Sequence, residues 1–278
     1  MKEFICWPGP MEGVMTPQFI RAVSKLKLVE RWMTPFLRIS NNVPRQRIFR
    51  EFLAPYLESG LPVTMQLMGT DARCLAEAAE MAQEFPLAGV NFNCGCPSKR
   101  VVSSGAGGGA LRELDRTFEI ISALRNAVKG IPFSVKLRTG WISPEEQETV
   151  IPELCRLEVD LLFVHYRTVK ELYLPVQGRR ERLERSLSLA GDVPVVVNGD
   201  FDTPQDIQEA LEMGAAGVMC ARGWMRNPSL FAPERGDVRQ ELLREIHLQG
   251  VPVSKTIEFS RMMGLPYKNG EIRQDLAP

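Results

Sequence analysis

Eight short, β-rich apolar runs punctuate this chain, each followed by a stretch of helical character, and that alternation restricts the available folds more than any other feature. The runs are FICWPGP (4–10), WMTPFLRI (32–39), PVTMQLMG (62–69), AGVNFNCG (88–95), PFSVKLRTG (132–140), DLLFVHYRT (160–168), VPVVVNGD (193–200) and AGVMCARG (216–223). Between them, segments such as DARCLAEAAEMAQEF, ELDRTFEIISALRNAV, SPEEQETVIPELCRLE and TPQDIQEALEMG space their apolar residues by three and four, often behind an Asp, Ser or Thr suited to a helix N-cap. Near-continuous apolar strands imply a parallel sheet covered by helices, and eight strand–helix pairs close a (β/α)8 barrel of the TIM type. At 278 residues the chain has the length of one such barrel, roughly 250 residues. An open doubly wound sheet is the rival arrangement.

The bulk composition excludes several classes. With 44% hydrophobic and 24% charged residues the chain is ordinary globular material, neither disordered nor fibrous. No apolar run reaches the 18 or so residues of a membrane span, and the opening MKEFICWPGPMEGVM is too short and proline-broken for a signal peptide, so a cytoplasmic location is expected. Six cysteines scattered over this length lack disulfide-scaffold density and are expected to be reduced. The 34 basic and 34 acidic residues cancel, so net charge offers no argument for a polyanionic partner. The arginine-rich stretch GRRERLERSLS (178–188) interleaves Glu181 and Glu184 at helical spacing, as a solvated helix face does.

Strand side chains alternate between faces, so a barrel strand points every second residue into the lumen. In SVKLR this places Ser134, Lys136 and Arg138 inward, with Val135 and Leu137 against the helices; Phe163, His165 and Arg167 likewise share one face. Gln66, Asn93, Asn198 and Arg222 fall at or just beyond the carboxyl ends of their strands. A lone buried lysine or histidine can belong to a structural network, but this many polar groups converging on the active-site face of the fold imply a ligand site. The tripeptides NGD (198–200) and ARG (221–223), after strands seven and eight, place glycines and amides where such barrels hold a phosphate, with Arg222 as a fixed charge.

The stretch NFNCGCPSKRVVSSGAGGGALRE (91–113) sets two thiols at the end of the fourth run. A metal site is not expected, because a C-x-C with only two histidines in the chain lacks further ligands. Cys94 ends the strand and reads as a core residue. Cys96 lies beyond it, locked by Pro97 at the barrel mouth, and the glycines at 105 and 107–109 allow the following backbone either to move or to approach a ligand closely. A thiol there, with Lys99 and Arg100 nearby, suits either a nucleophile or a general acid.

Taken in order, PMEGV (10–14), QLMG (66–69), the cysteine loop (91–112), VKLRTGW (135–141), VHYRT (164–168), VNGD (197–200) and CARG (220–223) resemble the tRNA-dihydrouridine synthases, FMN-dependent TIM barrels that reduce uridine. The resemblance implies bound FMN, with Pro10, Met11 and Gln66 near its ring, Lys136 and His165 in contact with it, and Asn198, Gly199, Asp200, Arg222 and Gly223 around its phosphate. It implies NADPH as reductant, hydride transfer to C6 of uracil and proton delivery to C5 by Cys96, acting as acid. Asn93, with Lys99, Arg100, Arg138 and Arg167, is assigned to the substrate, tRNA or another RNA. A target uridine turned out of folded RNA costs a few kcal/mol in unstacking, which RNA-binding surface must offset.

Two departures from the family pattern stand out. Tyr166 occupies the place of a glycine in VHYRT, harmless if the ring faces the helices. Residues 1–231 are expected to form the FMN-binding barrel, and residues 232–278 a short tail with one helix in DVRQELLREIHLQG and a polar end PYKNGEIRQDLAP, too short for the family's helical tRNA-gripping domain. Reduction of a small pyrimidine or enone, or flavin or RNA binding without turnover, are the alternative functions consistent with that shortening.

Overall fold

The structure, a computed structural model, describes residues 4–265. All eight expected strands are present: β1 (Ile5–Pro8), β2 (Trp32–Ile39), β3 (Val63–Gly69), β4 (Gly89–Cys94), β5 (Phe133–Arg138), β6 (Leu161–His165), β7 (Val195–Asn198) and β8 (Gly217–Cys220). Every ladder is parallel, running from β2 through β8 and back to β1, so the sheet curls into an α/β barrel of the TIM type. β1 and β2 lie side by side at the seam without a ladder between them. Pro35 cannot donate to a ladder, and the β2–β3 register shifts between Met33 and Phe36. There the Thr34 hydroxyl takes over, accepting the Gln66 amide at 3.0 Å.

The helices are α1 (Pro17–Lys25), α2 (Gln46–Leu57), α3 (Ala72–Ala82), α4 (Lys99–Val102), α5 (Leu114–Ala127) and α6 (Gln147–Arg156), then α7 (Arg179–Ala190), α8 (Pro204–Glu212), α9 (Arg222–Arg226), α10 (Arg239–Leu248) and α11 (Val253–Met262). The expected caps are realised at α3, where Asp71 accepts the Cys74 amide at 2.7 Å, and at α8, where Thr203 and Asp206 form a capping box. Among the described residues no helix is long and apolar enough to cross a membrane, and no cluster of His, Cys, Asp and Glu could hold a metal ion.

The main core lies between strands and helices, and Val135 and Leu137 join it as their register dictates. A smaller cluster of Trp7, Met33, Phe163, Val196 and Met219 plugs the lumen and forms its floor. The tail differs from expectation. The helix expected in 237–250 is α10, but a second helix, α11, follows it, and both fold back beside α1. There Lys25 pairs with Glu245 at 2.7 Å, and Phe19 stacks on Phe259 with centroids 5.4 Å apart. The stripe α11 buries is half polar, through Thr256, Ile257, Phe259 and Ser260, which hides its helical period in the sequence. The polar end PYKNGEIRQDLAP lies outside the described residues.

Candidate active site

Over the carboxyl ends of the strands opens a cavity of about 410 Å³, a size typical of small-molecule sites. Its walls hold Gln66, Asn93, Lys136, His165 and Asn198 from five strands, with Pro10 and Met11 from the loop after β1. Cys96 stands at the edge, half-buried, while Cys94 is sealed in the core, where burial pushes its thiol far up. All six cysteines are free thiols.

The lumen side chains form a relay that fixes the cysteine loop. Asn91 Nδ2 donates to Ser134 Oγ at 2.9 Å, Gln66 Nε2 donates to Asn91 Oδ1 at 2.9 Å, and Asn93 Nδ2 donates to Gln66 Oε1 at 2.9 Å. Asn93 Oδ1 then accepts the backbone amides of Gly95 and Cys96, both at 3.0 Å. Asn93, assigned to the substrate by the family resemblance, thus directs two of its three hydrogen bonds at the turn bearing the thiol.

The glycine run closes on the same turn. Residues Gly107–Arg112 form a 3-10 turn, buried up to Leu111, and the Gly108 amide donates to the Cys96 carbonyl at 2.9 Å. The close approach allowed by these glycines is therefore to the cysteine loop itself. Gly107 has φ +54°, and a methyl group there would meet Val101 Cγ1 at 2.7 Å and Cys96 Cβ at 3.0 Å. Gly107→Ala is expected to cost about 2–3 kcal/mol and to displace the thiol; a urea melt within 0.5 kcal/mol of wild type would contradict this packing.

His165 and Lys136 are set for opposite roles. The Arg167 amide donates to His165 Nδ1 at 3.2 Å, which leaves the proton on Nε2. Burial, and after it Arg138, Lys136, Arg167 and Arg222, hold the imidazole well below its ordinary value, so it remains neutral. Lys136 makes no hydrogen bond or ion pair among the described residues, and burial followed by Arg138 pulls its ammonium down to about 8. An unpartnered ammonium at a cavity wall is the deficit that a ligand acceptor fills.

Around the β7 and β8 loops, Gly199 adopts φ +111° and Asp200 φ +53°. Burial pushes the Asp200 carboxyl up, but hydrogen bonds from Arg167 and from Tyr166 Oη, at 2.9 Å, outweigh it and keep the group below the usual carboxylate range. Arg222 adds an ion pair at 2.8 Å. Tyr166 is buried, its ring parallel to that of His165 with centroids 5.6 Å apart, so the residue standing where the family has glycine braces Asp200 instead of obstructing the cavity. Asp200, Gly199 and Arg222 line the cavity; Gly223 does not, being buried against Asp202.

The arginine and lysine positions divide. Arg138 reaches the cavity but donates to the carbonyls of Gly95, Thr168 and Leu172, tying the cysteine loop to the β6 loop. Arg167 is 2% exposed, pairs with Asp200 and donates to Leu174 O at 2.7 Å. Lys99 and Arg100 lie exposed on α4, outside the cavity. Sequence reasoning passed over Phe36 and Tyr173, which also line it; Tyr173 sits in a loop without periodicity, and its only local signal is a run of exposed apolar residues, Leu172, Tyr173 and Leu174.

The residues present fit a flavin. The cavity offers an unpartnered ammonium, a neutral imidazole donor and, at its β7–β8 side, Arg222 paired with Asp200, whose carboxylate also accepts from Arg167 and Tyr166.

A parallel eight-stranded barrel with a cation-lined cavity and a free thiol at its mouth defines a barrel enzyme with its site on the carboxyl-end face. The sequence matches the dihydrouridine synthase (Dus) family over residues 8–259, and the chain belongs to that family of oxidoreductases. A tRNA-dihydrouridine(16) synthase of Haemophilus ducreyi is 31% identical over 237 residues, covering 80% of this chain and 70% of that protein. One of Escherichia coli O157:H7 is 31% identical over 234 residues, covering 80% and 72%. Among solved structures, morphinone reductase in complex with tetrahydroNAD superposes with a TM-score of 0.58 at 13% identity, covering 83% of this chain and 86% of that one. TcOYE with pHBA gives 0.60 at 10% identity, covering 83% and 88%. At such identities these two show the shared barrel fold.

Proposed function

We propose that this chain is an FMN-dependent enzyme that reduces uridine to 5,6-dihydrouridine in tRNA, with NADPH as reductant and Cys96 as the proton donor. Family membership supports the reaction, the relatives' names support tRNA and make position 16 the first uridine to test, and a cytoplasmic location follows from such a substrate. The single observation that carries the residue assignment is the free Cys96 thiol braced at the mouth of the cavity that Lys136 and His165 line.

Reduced FMN in this cavity would supply the hydride that C6 of the uracil ring accepts. Cys96 delivers its Sγ proton to C5 and recovers one from solvent afterwards, so one hydride and one proton saturate the 5,6 double bond. Lys136 and Cys96 line the same cavity. His165 presents Nε2–H to an acceptor in the cavity, and Lys136 presents its ammonium; of the other lining residues, Pro10, Met11 and Gln66 would face the flavin ring, and Asn198, Gly199, Asp200 and Arg222 its phosphate. Gly223, outside the cavity wall, lets the β8 loop pack closely on Asp202. The unstacked uridine would enter past Cys96, with the remaining Asn93 N–H and the Arg138-clamped loops shaping its pocket.

Reoxidation of the NADPH-reduced protein by unmodified tRNA, with a gain of two mass units at a uridine, tests the proposal. Reoxidation by free pyrimidines with tRNA inert would replace it by the small-substrate reading. The ammonium of Lys136 adds a pH signature. Its folded value is about 8, and an acceptor on the bound cofactor stabilises only the charged form. FMN affinity is therefore expected to be flat below about pH 8 and to fall above it, by up to about tenfold per pH unit. Fluorescence titration of the FMN-free protein from pH 6.5 to 9.5 checks this, and Lys136→Met should flatten the profile.

A further inference from the structure

Besides the apolar residues that plug the lumen, the adjacent strands β3, β4 and β5 send four polar side chains inward, at positions where barrels of this kind mostly carry branched apolar ones. Gln66, Asn91, Asn93 and Ser134 are each at most 6% exposed. Burying amides and a hydroxyl costs free energy, and apolar side chains of like size would fill the same space without that cost. Gln66 and Asn93 line the cavity, so a ligand can account for them; Asn91 and Ser134 do not line it and make no hydrogen bond to the cysteine turn.

The hydrogen bonds of these four run in one sense. The backbone amides of Gly95 and Cys96 can only donate, so Asn93 turns Oδ1 to them, at 3.0 Å each, and Nδ2 the other way, to Gln66 Oε1. Gln66 then presents Nε2 to Asn91 Oδ1, and Asn91 presents Nδ2 to Ser134 Oγ, each at 2.9 Å. The hydroxyl ends the chain by donating to the Val90 carbonyl at 3.3 Å. An amide carries its donor and its acceptor on opposite arms, so turning the Gln66 amide over would set N–H against N–H on one side and oxygen against oxygen on the other. Gln66 has no spare N–H with which to adapt, because its second one meets Met33 Sδ at 3.3 Å.

We propose that Asn91 and Ser134 are positioning residues for proton delivery by Cys96, acting through Gln66 and Asn93; the proposal rests on the functional reading above. Asn91 Oδ1 keeps the Gln66 oxygen turned to Asn93, and this keeps Asn93 Oδ1 turned to the two amides of the thiol-bearing turn. Without the Asn91 acceptor both orientations of the Gln66 amide become open, and the sense of the chain is lost as far as the turn. The carbonyls of that turn are held from other sides, Gly95 O by Arg138 Nε at 3.0 Å and Cys96 O by the Gly108 amide at 2.9 Å. The loop therefore stays folded while the aim of the thiol relaxes. Misplacement of a reacting group by about 1 Å costs on the order of a hundredfold in rate, and the step that suffers is transfer of the Sγ proton to C5.

The test uses the full chain loaded with FMN, reduced, and mixed with unmodified tRNA in a single turnover. Asn91→Leu fills similar space but accepts nothing; it is expected to keep FMN bound and to slow reoxidation by about a hundredfold. In a Cys96→Ala background the same substitution is expected to change the rate by less than about twofold, because the group it aims is gone. Asn91→Asp offers Gln66 an acceptor in either protonation state and is expected to recover most of the loss. Ser134→Ala is the milder variant should Asn91→Leu fail to fold, with a loss of up to about tenfold that again vanishes without the thiol. An equal fractional loss with and without Cys96 overturns the proposal, and so do wild-type rates in both Asn91→Leu and Ser134→Ala. A wild-type protein that tRNA leaves reduced overturns the functional reading instead. The placement of the thiol is then read from alkylation of Cys96 by iodoacetamide, followed by peptide mass spectrometry: Asn91→Leu is expected to react faster than wild type, and equal rates overturn the proposal.

Discussion

Cys96→Ala is expected to lower tRNA-driven flavin reoxidation and dihydrouridine formation by about two to four orders of magnitude while leaving FMN bound, the range that removal of a general acid produces. The structure separates the two effects. The Cys96 backbone is held by Asn93 Oδ1 on its amide and by Gly108 on its carbonyl, and neither contact uses the thiol. The side chain packs at the edge of a small cluster of Met68, Val101 and Ala106, so losing one sulfur leaves the loop in place. Serine at this position keeps the shape but is a far weaker acid, and is expected to fall with alanine. Stopped-flow reoxidation of the reduced protein, with mass spectrometry of the tRNA, measures both. Product formed at the wild-type rate by Cys96→Ala would remove the residue from the reaction.

Trp224→Ala is expected to carry the largest stability cost, about 3–5 kcal/mol, as truncation of a fully buried tryptophan does. Trp224 is 1% exposed on α9, directly after the last strand, and it meets elements distant in the chain. Its ring lies edge-on to Phe19 at 5.9 Å and Trp32 at 6.4 Å and stacked on Phe231 at 6.3 Å, with Phe259 reached through Phe19. It thus ties the end of the barrel to α1, to the start of β2 and to α11. The ladder is interrupted at the β1–β2 seam, so this aromatic cluster supplies cohesion there that backbone hydrogen bonds do not. At roughly 2–4 °C per kcal/mol for a domain of this size, the melting temperature should drop by about 10 °C. Because α9 begins at Arg222, weaker FMN binding should accompany the loss. A stability change under 1 kcal/mol would show that the cluster does not hold the closure.

The barrel was legible because its strands are buried on both faces and therefore stand out as apolar runs, and because alternation along each run names the inward positions. Lys136 and His165 were identified in this way, and Gln66, Asn93 and Asn198 by their place at the strand ends; all five line the cavity. Side chains anchored on loops did not yield to the same reasoning. Arg138 and Arg167 begin on inward positions, but their long stems carry the guanidinium to loop carbonyls and to Asp200. Tyr166 looked like an intrusion and proved to be a brace, a role that exists only because Asp200 is folded against it.

The sequence by itself determined the eight strands, the face each presents and the thiol beyond the fourth, since these depend on the local period of two and on residues within one short segment. Only the tertiary structure decided which cations are neutralised and which remain free, how the glycine run presses on the cysteine loop, and that α11 is a helix at all. Those outcomes depend on partners far away in the chain, such as Trp141 for Arg112 and Lys170 or Phe19 for Phe259, and contacts of that kind leave no local pattern to read.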